Sequence, residues 1–315
     1  MLRFQADRRT LFLLMCFGAL SATAWVLDLH GLAAALACVV LCISSWICAI
    51  IAHNTVHSPV FKKRWMNRWF QVWLSLSYGF PVSEYVPGHN LSHHKFTQHA
   101  EDVMRTSKVN YRWNLMNFLL FFFHVGPGVT AGNYVYKQAM KQRLPQWNQQ
   151  LMYEIVAVWG VKAVLLLLDW RRALLFYIVP HLFAVWGITT VNFLQHDGTD
   201  QEHPVNHSRN FVGRVFNWFT LNNGYHGIHH DHPGLHWSLL PAAHAEKFHP
   251  TIDPRLEEPS LARYMFKAFI WPGKRVRYDG SPVVVTQVPD NDWVAASRST
   301  ALEDLGAMGS TDALA

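Results

Sequence analysis

The chain has 315 residues, enough for one large core or two modest ones. Half of them are hydrophobic, 14% are aromatic and only 15% are charged, against roughly 25% charged in soluble domains, so a membrane is the first expectation. The net charge of +6 is accounted for by a basic face lying against anionic headgroups, and no nucleic-acid partner is implied.

In chain order, residues 11–27 and 31–52 are apolar runs of about twenty residues, the length of a bilayer-spanning helix. They are separated only by Asp28-Leu29-His30. The runs 151–168 and 173–194 repeat the arrangement around Asp169-Trp170-Arg171-Arg172. The expected fold is an all-α integral membrane protein with four transmembrane helices in two hairpins. Both termini and the long middle segment then share one face.

Charge supports that topology independently. Of 27 Lys and Arg residues, 3 precede the first span, 11 lie between Ala52 and Leu151, and 10 follow Leu194. By the positive-inside tendency this common face is cytoplasmic. Lys162, Arg171 and Arg172 are the exceptions; for Lys162, snorkelling or weak pairing with Asp169 is the simplest account.

Within the middle segment, Lys62-Lys63-Arg64 and Arg68 alternate with Trp65, Trp69 and Phe70, the mixture of an interfacial helix. The stretch 71–86 contains Gly79 and Pro81 and reads as dipping into the bilayer without crossing. The stretch 113–125 is too short to span before Gly126-Pro127-Gly128. At the N-terminus, Arg8-Arg9, the apolar run 11–20 and Ala22-Thr23-Ala24 resemble a signal peptide. Hydrophobicity resumes at once with Trp25-Val26-Leu27, which favours a retained anchor. Cys16, Cys38, Cys42 and Cys48 all lie in the first two spans, as small apolar residues and not as a disulfide framework. Residues 1–275 read as one membrane domain and 276–315 as a polar, flexible tail.

The chemistry lies in three histidine clusters. They are His53-Asn54-Thr55-Val56-His57, His89-Asn90-Leu91-Ser92-His93-His94 and His226-Gly227-Ile228-His229-His230. At helical spacing each set points to one side of its helix. Imidazole suits iron, zinc, copper or nickel, and eight imidazoles exceed what one ion uses. The last span ends in Asn192-Phe193-Leu194-Gln195-His196, so Asn192 and His196 repeat the i, i+4 spacing of His53 and His57. His196 is thus a ninth candidate ligand and Asn192 a candidate oxygen ligand. A histidine-rich cap on the cytoplasmic face follows.

The boxes HxxxH, HxxxHH and HxxHH, ordered around two hydrophobic hairpins, resemble the membrane-bound fatty acid desaturase and hydroxylase superfamily over roughly residues 33–240. Asn222-Asn223-Gly224-Tyr225-His226 is similar to the approach to the last box in sphingolipid and acyl-lipid desaturases. The resemblance implies a non-haem di-iron centre with O2 as co-substrate. It places iron on His53, His57, His89, His93, His94, His226, His229 and His230, with His196 as a further ligand and Asn192 at a position where stearoyl-type enzymes use asparagine. The superfamily's fused cytochrome b5 carries His-Pro-Gly-Gly; here the run is His232-Pro233-Gly234-Leu235, so an external donor of ferredoxin or cytochrome b5 type is implied. Asp102, Asp197 and Asp231 are candidates to orient the liganding rings.

Breaking an unactivated C–H bond is beyond side-chain acids and bases, so an oxygen-activating metal must carry it. The expected reaction is introduction of a double bond into a fatty acyl lipid or acyl thioester. The same ligands serve a hydroxylase or a ketolase of a lipid or carotenoid. A zinc protease needs His-Glu-x-x-His, and Asn54 occupies the glutamate's place. A haem-binding or metal-transport protein would set its histidines within the spans. The remaining histidines, His232 and His236 included, read as surface or packing residues.

Overall fold

The computed structural model describes residues 1–286 and 288–297. Its elements are helices, apart from one short parallel ladder in which Asn210 of β1 (Asn210–Phe211) pairs with Glu257 of β2 (Glu257–Glu258). The chain divides into two compact units. The first comprises Met1–Val86 and Lys137–Ile188, and the second Pro87–Tyr136 with the described residues from Thr189 onward. Four helical runs are long and apolar enough to cross a membrane, namely Asp7–Val26, Gly31–His57, Asn114–Met140 and Pro145–His196.

In the first unit, α1 (Asp7–Val26) packs on α2 (Gly31–His57). At about 1.5 Å per residue, the 27 residues of α2 outrun a hydrocarbon core of about 30 Å. Its last turns, with His53 and His57, therefore continue past the apolar segment. The 52-residue run Pro145–His196 is more than twice too long for one crossing, and it is broken where the third and fourth spans were expected to part. Asp169 has non-helical backbone angles there, φ −157° and ψ 97°. Its carboxylate accepts the backbone N–H groups of Arg171 and Arg172 at 3.0 and 3.1 Å, capping the helix that follows. The segments are α7 (Pro145–Ala173), a π-helical turn Leu174–Ile178, and α8 (Val179–His196).

The exceptional cations find partners in the first unit. Arg172 donates to the Trp25 carbonyl at 2.6 Å and to Asp28 at 3.0 Å. Lys162 does not pair with Asp169, which goes to Arg172 at 3.3 Å. It donates instead to the Gly79 carbonyl at 2.6 Å and lies 4.5 and 4.4 Å from the Phe80 and Trp159 ring centres. Gly79 ends α3 (Arg64–Tyr78) in the left-handed region at φ 91°, and a Cβ there would come within 2.1 Å of the His181 ring. The next helix, α4 (Val82–Val86), is tied to α7 through the buried Glu154. That carboxylate accepts Ser83 N–H at 2.8 Å, Ser83 Oγ at 2.9 Å and Gln150 Nε2 at 2.9 Å.

The second unit begins with a π-helical turn, Pro87–His93, running into the short α5 (His94–Phe96). One expectation is corrected here. The stretch 113–125 does not stop at Gly126-Pro127-Gly128; α6 runs unbroken from Asn114 to Met140 with Pro127 inside it. Proline removes one backbone donor, the one that would have bonded the Phe123 carbonyl, and the helix continues past that single lost bond. This adds a helix of spanning length to the expected set. Beyond α8 follow α9 (Arg214–Phe219), α10 (His226–Asp231), α11 (Leu240–Lys247) and α12 (Leu261–Met265).

The segment from 276, expected as a flexible tail, is tied down in its described part. Arg105 donates to the Val288 carbonyl at 2.5 Å and to Asp290, and Trp293 of α13 (Trp293–Ser297) is buried, stacked on Tyr136. Its polar composition concealed two apolar anchors, Trp293 and Val294, which are 5% and 2% exposed. Residues 298–315 of that expected tail lie outside the described residues.

Candidate metal centre

The α2 terminus sets the first histidine pair. His53 and His57 are one turn apart with ring centroids 5.4 Å from each other. The His53 Nδ1 lies 3.1 Å from Asn54 Oδ1, and its ring meets Tyr85 edge-on at 6.4 Å.

The second box behaves differently from an α-helical repeat. In a π-helix the i→i+5 bond widens the turn, so residues five apart come together. His89 and His94 meet with centroids 4.6 Å apart and Nε2 atoms 3.1 Å apart. His93, four residues after His89, joins another group. The third box divides too. On α10, His229 places Nε2 3.2 Å from His94 Nε2, whereas His226 and His230 turn to His196 at the end of α8.

Within the second unit this produces two groups of buried or half-buried imidazoles. One holds His89, His94 and His229; the other holds His93, His196, His226 and His230. In each, one nitrogen per ring lies within 4.8 Å of the others. The groups adjoin, since the His94 and His230 rings stack at 4.2 Å.

The nitrogen separations test whether a metal fits. His196 Nε2 stands 2.9 Å from His226 Nε2 and 3.2 Å from His230 Nε2. An ion bound by nitrogens at roughly 2.1 Å has ligand edges of about 3.0–3.4 Å by simple trigonometry, so these contacts have the size of a coordination polyhedron. Burial pushes the His230 imidazole well below its usual pKa, reinforced by His226, His196 and His93. Its ring is therefore neutral at physiological pH, the form that ligates.

Three of the outer nitrogens are held. His93 Nδ1 lies 3.0 Å from Asp102 Oδ2, both groups being buried, while its Nε2 has no hydrogen-bond partner. Asp102 is pinned in turn by the N–H groups of Gln98 and Met104, each at 2.8 Å. His196 Nδ1 faces the His207 carbonyl at 3.3 Å, and His230 Nδ1 lies 3.2 Å from the Thr97 hydroxyl. Asn192 commits its Nδ2 to the Met104 carbonyl at 2.8 Å and leaves a buried Oδ1 without a partner.

Two expected orienting groups do other work. Asp197 pairs with Arg275 at 2.5 Å, not with a box histidine. Burial raises its pKa, an effect the Arg275 contact opposes. Asp231 contacts His207 at 3.3 Å and not His230, because at the end of α10 its side chain faces the 199–211 segment. Sequence reasoning missed Thr97, His207 and Arg275, which lie outside the boxes and carry no spacing signal. His232 and His236 stay out of both groups, bonded to Lys247 at 2.6 Å and to Ser238 Oγ at 2.8 Å.

Seven buried or half-buried imidazoles in two adjoining groups could hold metal ions of the borderline kind that imidazole suits. Comparison with known proteins agrees with that chemistry. The Delta(12) fatty acid desaturases of Mortierella alpina and Mortierella isabellina are 33% and 32% identical to this chain over 118 residues. That stretch is 35% of this chain and 25% of each relative's length. Residues 30–257 match the family described as Fatty acid desaturase, a span that contains every histidine of both groups. The chain is a member of the fatty acid desaturase family.

Proposed function

We propose that the protein introduces a double bond into the hydrocarbon chain of a fatty acyl lipid or acyl thioester, using two non-haem irons, O2 and an external electron donor of ferredoxin or cytochrome b5 type. The observation that carries this reading is the division of seven imidazoles into two adjoining groups. In this proposal His53 and His57, one turn apart on α2, are iron ligands as well. Asn192 Oδ1 is an added oxygen ligand beside His93, His196, His226 and His230.

When bound, the iron pair supplies the O2-dependent redox chemistry that protein side chains lack. The chain's own residues bind and orient. The imidazoles present their inner ring nitrogens, Asp102 fixes the ring of His93, and Thr97 and the His207 carbonyl hold His230 and His196. Their burial excludes water from the reacting centre. The long apolar helices make this a membrane protein, which suits a substrate whose hydrocarbon chain comes from the bilayer. The excess of Lys and Arg outside the expected spans supports a multi-pass arrangement with the histidines and both termini on the cytoplasmic side.

The test is expression in a host of simple lipid composition, supplied with iron and a reductant, followed by mass spectrometry of its fatty acids and lipids. The wild type is expected to yield a species lighter by two hydrogens, and His229→Ala none. A species heavier by one oxygen means hydroxylation. Identical wild-type and His229→Ala profiles, or purified protein holding zinc alone or haem, overturn the proposal.

A further inference from the structure

One cluster of cations in the first unit takes no part in the metal centre. Lys62, Lys63, Arg64 and Arg68 fall within seven residues, and the sequence has no acidic residue between Asp28 and Glu84. The first two turns of α7, which faces α3, contribute amides instead, with Gln146, Asn148, Gln149 and Gln150 and no carboxylate. Arg64 donates to Gln146. Arg68 donates through Nε to Gln150 at 3.2 Å and through Nη2 to Gln149 at 3.1 Å. It makes no ion pair among the described residues, unlike Arg105, Arg172 and Arg275, each of which meets a carboxylate. Glu154, one turn after Gln150 on α7, is fully buried and bonded to Ser83 and Gln150.

Arg68 borders a cavity of about 270 Å³ between these two helices. Trp65, Trp69 and Tyr153 line it, and Arg68 lies 5.9 Å from the Tyr153 ring centre. Trp65, Trp69 and Trp73 recur every fourth residue on the outer side of α3 and are 60%, 67% and 37% exposed. A stripe of exposed indoles beside a run of basic residues is the composition of a membrane–water boundary. The amides that hold the Arg68 guanidinium are neutral and leave its charge unbalanced; they take Nε–H and one Nη2–H, and the remaining Nη1 and Nη2 hydrogens form an end-on fork that suits a phosphate.

We propose that the cleft between α3 and the start of α7 binds the phosphate of an anionic membrane phospholipid, with Arg68 as its principal contact and the tryptophans beside the acyl–glycerol region. The proposal needs only that the chain is a membrane protein and does not depend on its being a desaturase.

Native mass spectrometry of the full chain, released from micelles containing equal phosphatidylglycerol and phosphatidylcholine with the same acyl chains, tests it. The wild type is expected to retain phosphatidylglycerol in preference. Arg68→Gln should retain about fivefold less, the factor that one interfacial cation contributes. Gln149→Glu should lose the same preference while giving Arg68 an internal carboxylate partner, so a loss there does not reflect a fold weakened by removing the guanidinium. Equal retention of the two lipids by the wild type, or undiminished phosphatidylglycerol in Gln149→Glu, overturns the proposal. Displacement of the bound lipid by millimolar inorganic phosphate also overturns it, since it identifies a site for free anions.

Discussion

His93 divides its two nitrogens between different tasks, Nδ1 facing Asp102 and Nε2 facing the group formed by His196, His226 and His230. A carboxylate on the outer nitrogen fixes the tautomer and raises the basicity of the inner one. Asp102 is suited to this because its own oxygens are fixed by backbone N–H groups on both sides. Asp102→Asn preserves the shape but removes the charge. Bound iron or turnover should fall about 10–100-fold, with the helical circular dichroism unchanged, as measured by metal analysis and product formation. Wild-type iron content and rate in this variant would remove Asp102 from the centre. Asp197 shows why neighbourhood in sequence is a poor guide to such roles. It adjoins His196 in sequence, yet its carboxylate faces the guanidinium of Arg275.

At the scale of elements, the turn Pro87–His93 decides how the second box is used. An α-helix would have set His89 with His93, four apart; the π-helical turn sets His89 with His94, five apart, and sends His93 to the other group. Paired substitutions separate these alternatives. His89→Ala with His94→Ala should leave about one of the two proposed ions per chain, whereas His89→Ala with His93→Ala should lose both. Elemental analysis of purified protein distinguishes the outcomes, and equal losses in the two double variants would contradict the grouping. The same scale explains α6. Gly126-Pro127-Gly128 reads as a helix stop by local propensity, but in an apolar environment an unpaired backbone group is costly, and continuing the helix keeps the remaining groups bonded.

For the whole molecule, the distribution of charge and the apolar helices imply an orientation that can be measured. In a variant lacking the four native cysteines, a single cysteine at Lys63 should react with a membrane-impermeant maleimide only after the cells are opened. One at His30 should react in intact cells. The reverse pattern would invert the proposed topology. Of the two arginines beside Asp169, Arg172 is paired with Asp28 and Asp169, which leaves Arg171, beside the Trp170 ring, as the exception to the proposed orientation. Much of this level was legible beforehand. The break of the long helix around Asp169 and the nine candidate ligand histidines follow from apolar run length and spacing. The burial of Trp293 and the role of Thr97 did not, since each depends on a partner far along the chain.

The sequence by itself determined that long apolar helices carry histidines at their ends and in two later boxes, because hydropathy and spacing are local properties. Only the tertiary structure decided which histidines of the second unit share a group. That choice rests on a π-helical turn and on the convergence of α8 and α10, and neither a backbone bond five residues apart nor a contact over 30 residues leaves a period in the sequence.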